Sequence, residues 1–266
     1  MSRTNQIAQQ YLAHSLRPYL YKNTDRFPWA HYLRIVYNDA LTFDPATKKG
    51  GNKANYVFRT IARSSQNKHL QLLTQELIYK KQHDEDIVVD QLSVSDYITS
   101  AAYFVVREAE GPNILSDITY GRVDAKSEAE AGDVKQIPVV GGTWVSNLKA
   151  KGFDNAEIVA LASVEAFGVV WDPKKHDTSK YPKLDNYYFK QLLTGGSTVV
   201  LQRELTSDAD LKAIVEKYAQ DQKAFHDSFG QAFIKLSNLG QSEEELTNVE
   251  NLLEIHPYKK FIDVYY

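Results

Sequence analysis

Histidines are the side chains of this chain best suited to moving protons or holding a metal near neutral pH, and there are seven: His14, His31, His69, His83, His176, His226 and His256. No two stand at the four-residue spacing that sets two imidazoles on one helix face, so the sequence predicts no metal centre. Cysteine is absent, which excludes disulfides, thiolate nucleophiles and iron–sulfur ligation. No glycine-rich phosphate loop, dinucleotide fingerprint or nucleophile elbow is present; Gly141-Gly142 and Gly195-Gly196 read as turns. Lys174-Lys175-His176 reads as a solvated loop. Arg34, set among apolar residues, is expected to pair with a nearby carboxylate such as Asp39.

These side chains are carried by helical patterns. Phe225, Phe229, Phe233, Leu236 and Leu239 recur at helical spacing up to Gly240. The same reading predicts helices over 7–20, 31–42, 70–81, 94–108, 145–151, 156–168, 186–193 and 211–220, with Ser93 or Ser95, Asp154, Asp185 and Asp208 as caps. The fold class is therefore all-α. Loops are expected at 45–55, 111–137 and 172–183. One compact helical unit is expected over 1–240, with two lobes divided near residue 140, followed by a C-terminal extension over 241–266.

The chain has 266 residues, 31 basic and 34 acidic, for a net charge of −3. Read as interspersed along the chain, these charges set up no field for nucleic acid or an anionic membrane. No apolar run reaches the roughly 18 residues of a membrane span, and the first twenty residues lack the apolar core of a secretory signal. The chain is expected not to span a membrane itself.

Six motifs in one order give a more specific reading. Leu33-Arg34-Ile35-Val36-Tyr37-Asn38-Asp39-Ala40 leads into the Gly50-Gly51 loop with Asn52 and Asn55. Ser93-Val94-Ser95-Asp96-Tyr97 and Gly121-Arg122-Val123-Asp124 follow. Then come Ile158-Val159-Ala160-Leu161-Ala162-Ser163-Val164-Glu165-Ala166-Phe167-Gly168, Leu184-Asp185-Asn186-Tyr187-Tyr188-Phe189, and Lys217-Tyr218-Ala219-Gln220-Asp221 with Ala224-Phe225. Together they resemble the class I haem peroxidases, the family of ascorbate and cytochrome c peroxidases, over roughly residues 15–240. The resemblance implies a two-lobed helical fold with the haem between a distal helix near 31–42 and a proximal helix near 156–168.

The resemblance also assigns positions, and most hold the wrong chemistry. The family's iron ligand is a histidine that donates its second ring N–H to a buried carboxylate. Here these two positions are Glu165 and Gln202. Peroxide cleavage needs a base and a cation on the distal side; Arg34 matches the cation, but the base position is Asn38, whose amide accepts no proton. The neighbouring tryptophan position is Tyr37, and Asn67 matches the asparagine that orients the base, now free to bond to Asn38. At the substrate edge, Trp171 and Lys174 stand where the family has a histidine and an arginine. The sequence thus implies no catalytic residues, no metal and no haem or other cofactor.

What the resemblance implies for function is a catalytically inactive, ascorbate-peroxidase-like protein serving as an accessory or structural subunit of a larger organellar membrane complex. Within the family it is nearest a haem-free branch of the chloroplast thylakoid lumen associated with photosystem II; a mitochondrial respiratory complex is the second setting. Its partners would be protein subunits. The alternative is a haem-binding peroxidase or peroxide sensor with a non-histidine axial ligand such as Glu165. The C-terminal segment Ile255–Tyr266, which ends in an aromatic run, is read either as cover for the fold's own surface or as a docking segment.

Overall fold

The computed structural model describes residues 3–84, 87–115, 117–139, 141, 143–167, 181–194 and 201–247. Twelve α-helices lie among them: α1 (Arg3–Lys22), α2 (Trp29–Leu41), α3 (Arg59–Ala62), α4 (Gln71–Gln82), α5 (Ile87–Gln91), α6 (Val94–Glu108), α7 (Trp144–Ala150), α8 (Asn155–Ala166), α9 (Tyr187–Thr194), α10 (Gln202–Thr206), α11 (Ala209–Gln220) and α12 (Gln222–Ser237). Among the described residues no strand forms, only two isolated β-bridges, Asp44 with Lys49 and Tyr120 with Thr247. The nine helices expected from periodicity are all present. The short helices α3, α5 and α10 carry too few turns to show a period, and the sequence reading passed over them.

Polar side chains set the helix starts. Asp154 accepts the N–H of Glu157 at 2.8 Å while the Glu157 carboxylate accepts the N–H of Asp154 at 2.9 Å, a reciprocal box that begins α8. Asp208 caps α11 and Asp221 caps α12 more simply, each carboxylate accepting backbone N–H groups of the first turn with no return bond. Of the two serines proposed for α6, Ser93 is the cap, accepting from Asp96 N at 2.9 Å; Ser95 is buried and donates to Asn52 O at 2.8 Å.

One apolar core runs through the described residues from Leu12 to Leu236. Its centre is the phenylalanine face of α12, where Phe225 sits 4.8 Å from Phe189 and Phe229 stacks on Phe233 at 5.4 Å. Helix α8 packs against α12, α11, α2 and α7, and α2 packs against α6.

The Gly121-Arg122-Val123-Asp124 loop fastens α6 into this core. Asp124 accepts from the N–H groups of Val94 and Ser95 at 2.8 and 2.9 Å, taking up orphan donors at the helix start. Arg122, fully buried, pairs with Asp96 at 2.7 Å and donates to Thr119 O, Ser237 O and Asn238 Oδ1. Gly121 has a φ of +95°, and a Cβ there would lie 2.4 Å from Glu245 O, so no other residue fits. The Gly50-Gly51 loop meets Gly240 with as little room: a Cβ on Gly51 would stand 2.2 Å from Leu239 O.

The first residues of the C-terminal extension turn back onto this frame. Gln241 donates to Asn52 O at 2.6 Å, and Thr247 exchanges backbone bonds with Tyr120. Residues 248–266, with the aromatic run, lie outside the described residues. Charge corrects the sequence reading, because the ionic residues are not evenly interspersed. Residues 45–83 hold eight Lys or Arg and one acid, Glu76, whereas residues 84–133 hold twelve acids and three basic residues.

Removing one partner from a buried, multiply bonded ion pair leaves the other charge stranded. Arg122→Met is expected to lower stability by about 3–5 kcal/mol, measured by urea unfolding; a loss within experimental error would show that the loop does not hold α6.

Candidate functional site

Helix α2 sets Arg34, Tyr37 and Asn38 on one face, since residues three and four apart on a helix share a side. Asp39, five residues from Arg34, is about 140° away around the helix axis. The expected local pair therefore does not form. Asp39 instead accepts the backbone N–H of Asn55 at 2.9 Å and anchors the loop after Gly51.

The partner of Arg34 is Glu165, which is 131 residues away in the last turn of α8. Arg34 Nη1 lies 2.8 Å from Glu165 Oε2, and Arg34 Nη2 donates to the backbone carbonyl of Glu165 as well. The guanidinium thus neutralises a carboxylate and serves a carbonyl at the negative end of α8, an arrangement favoured by the helix dipole. The pair is largely withdrawn from water, with the Arg34 side chain 21% and the Glu165 side chain 10% exposed.

Tyr37 completes this centre. Its hydroxyl, fully buried, accepts from Trp144 Nε1 at 2.8 Å, tying α7 to α2. Burial, and then the neighbouring Glu165 carboxylate, push the Tyr37 phenol well above its ordinary range, so it stays protonated. Tyr188 on α9 is raised by the same two causes. Trp144 gave no sequence signal of its role, because it stands 107 residues from Tyr37.

Asn38 donates to Asn67 Oδ1 at 2.9 Å, as the sequence predicts, and to Gln66 O at 3.3 Å. Asn67 in turn donates to Ile61 O. The two amides close on each other and on backbone, and neither is a proton acceptor at ordinary pH. Gln202 opens α10 and donates to Leu192 O at 3.1 Å, securing the end of α9; among the described residues it makes no bond to Glu165. Trp171 and Lys174 lie outside the described residues.

The structure also joins two histidines that the sequence spacing kept apart. His31, one turn before Arg34, has its ring 5.5 Å from that of His69. Both imidazoles are held below their ordinary pKa, His31 by burial, His69 and Arg34, and His69 by burial, Arg34 and Lys68. No third ligand joins them: among the described residues no group of three or more His, Cys, Asp or Glu could hold a metal ion.

A histidine-ligated iron needs a neutral imidazole from the proximal helix and a free distal base. Here the proximal position supplies a carboxylate already engaged by the distal arginine, and the base position supplies an amide. A flat ring lying between two side chains needs two contact separations of about 3.5 Å each. The 2.8 Å contact leaves no such space between Arg34 and Glu165 while the pair is made. The residues present do not fit a histidine-ligated haem.

Comparison with known proteins agrees with the fold. The family model described as peroxidase matches residues 10–221. The chain belongs to the peroxidase family. Within it the chain is ascorbate-peroxidase-like and of class I. It is 26% identical over 217 residues to L-ascorbate peroxidase 1, cytosolic, of Oryza sativa subsp. japonica, covering 78% of this chain and 84% of that protein. Against L-ascorbate peroxidase 2, cytosolic, of Arabidopsis thaliana it is 28% identical over 235 residues, covering 80% and 85%. Against the probable L-ascorbate peroxidase 7, chloroplastic, of Oryza sativa subsp. japonica it is 28% identical over 178 residues, covering 56% and 49%. Among the described residues no helix is long and apolar enough to cross a membrane.

Two predictions follow from this geometry. In a double-mutant cycle, Arg34→Ala and Glu165→Ala are expected to couple by about 1–3 kcal/mol; additive losses would mean that the pair contributes nothing. The second concerns Asp39, whose carboxyl burial pushes up to about 8 despite the Asn55 N–H bond. The folded chain then keeps a proton that the unfolded chain releases near pH 4, so this group's contribution falls as pH rises from about 4 to about 8. Asp39→Asn should gain on the natural chain across that interval in urea unfolding; a constant difference between about pH 5 and pH 8 would refute it.

Proposed function

We propose that this member of the peroxidase family does not perform peroxidase chemistry and serves as an accessory subunit of a larger organellar membrane complex. The single observation that carries the first half is the Arg34–Glu165 ion pair, 2.8 Å between charged atoms. It joins the two positions that a peroxidase uses on opposite sides of its haem. Asn38 in place of a base and Gln202 in place of a buried carboxylate support the same reading.

The second half rests on what is left once catalysis is set aside. A large core, closely fitted glycine contacts and a fully buried Arg122–Asp96 pair hold the fold together through residues other than those at the degenerate catalytic positions. Such a body is suited to presenting surface. A chloroplast setting in the thylakoid lumen, with photosystem II as the complex, is favoured; a mitochondrial respiratory complex is the second setting. The chloroplastic name of one relative is compatible with the first.

The test of inactivity is direct. Purified protein titrated with haemin is expected to give no stoichiometric Soret band and no peroxide-dependent oxidation of ascorbate above the haemin blank. A Soret band at one haem per chain with turnover would establish the alternative, a haem protein with an unusual axial ligand. The paired variant Glu165→His and Gln202→Asp, which restores an imidazole and its carboxylate partner, is expected to bind haemin at least tenfold more tightly than the natural chain. On native gels of solubilised organelle membranes, the protein is expected to migrate with a large complex; migration only at its monomer position would reject the subunit role.

A further inference from the structure

Helix α4 is apolar on two sides. Leu73 and Leu77 are buried in the core, as expected of a helix lying over α6. Leu72 and Tyr79 point away from it, with 50% and 61% of their surface exposed. They stand seven residues apart, so two turns of helix place them on one stripe about 10 Å apart. Gln75, also exposed, lies between them, and the His83 ring stacks on Tyr79 at 3.9 Å. A helix with a second apolar stripe opposite its core face is built to meet a second neighbour.

The charges around this stripe indicate what kind of neighbour. Glu76 and Lys80 are already neutralised within the chain, by Arg26 at 2.9 Å and Asp84 at 3.0 Å. Arg59, Arg63, Lys68 and Lys81 form no ion pair with any described residue, and the first three are exposed. They belong to the 45–83 stretch with eight basic residues and one acid, in a chain whose net charge is −3. Lys68 lies in the turn that leads into α4, four residues before Leu72. An apolar pair with cations on its rim complements an apolar centre with carboxylates on its rim. Two exposed apolar side chains are too few to hold a helix in a lipid surface, where a whole apolar face is buried. As anchors in a protein interface, two such side chains are enough.

From this we infer that the outer face of α4, centred on Leu72 and Tyr79 and rimmed by Arg63 and Lys68, is the surface on which this protein docks to an acidic protein subunit. This inference rests on the subunit reading above and names the surface through which it acts. Binding buries Leu72 and Tyr79 at the centre, and the unpaired cations meet carboxylates of the partner. The association therefore weakens as salt rises.

The test uses full-length protein returned to organelle membranes that lack it, with the bound fraction read on native gels. Leu72→Glu with Tyr79→Glu is expected to lower comigration with the complex at least tenfold. Arg63→Glu with Lys68→Glu should lower it several-fold and remove most of its salt dependence. Leu193→Glu, at an exposed apolar position on α9, should leave it unchanged. All three variants are first shown to fold by circular dichroism and thermal unfolding.

Undiminished comigration of the α4 variant would overturn this surface and leave the subunit reading standing. Equal loss in the Leu193 variant would overturn it too. Absence of the natural chain from every complex would remove the subunit reading and this surface with it. Two further results reassign the face. Binding to phosphatidylglycerol vesicles that is lost in the α4 variant would give it to a membrane, and a dimer in size-exclusion chromatography lost in that variant would give it to a second copy.

Discussion

A charge near the end of a buried helix has to be met by something, and in this chain Glu165 of α8 is met by Arg34 of α2. The pairing constrains several elements at once. It fixes α2 against the C-terminal turn of α8. It places the Tyr37 hydroxyl beside the same carboxylate, and Trp144 then holds α7 through that hydroxyl. With the guanidinium on one side and a protonated phenol near it, the carboxylate is neutralised within the protein and has no need of a metal cation. In such a site the charged and polar groups satisfy one another, and removing one of them would leave its partner stranded.

The framework around this centre is held by different residues. Arg122, Asp96 and Asp124 bind the loop before residue 125 to the start of α6, and Gly51 and Gly240 allow two backbone segments to touch. None of these side chains meets Arg34 or Glu165 among the described residues. Fold and chemistry are therefore separable here: the motifs that specify the scaffold are intact while the positions that would carry out catalysis hold Asn38, Glu165 and Gln202. That separation is why membership of a family fixes an architecture without fixing an activity.

The surface shows the same division of labour. Charge is sorted along the chain, basic through residues 45–83 and acidic through 84–133, and the two stretches touch where Lys53 O accepts from Ala125 N and Thr60 donates to Glu128. Part of the basic charge is offset within the molecule by the Lys80–Asp84 pair. The α3 to α4 region keeps three exposed cations, Arg59, Arg63 and Lys68, that form no ion pair with a described acid, next to apolar side chains turned away from the core.

Sequence alone determined the helical class, the main helices, their caps at Ser93, Asp154 and Asp208, and the family, because periodicity, capping and motif order are local properties of the chain. It also placed an amide at position 38, and an amide cannot become a base in any fold. The bond between Asn38 and Asn67 was legible too, through the family pattern. What only the tertiary structure decided is who meets whom. The sequence offered Asp39 as the partner of Arg34 on grounds of nearness, and helical geometry turns Asp39 to another side. It offered no sign that His31 would touch His69, or that Trp144 would bond to Tyr37. These contacts cross 38, 107 and 131 residues of chain, and no local pattern encodes a distance of that kind. It is set when the apolar faces of α2, α7 and α8 close on one core and bring their polar groups to the same place.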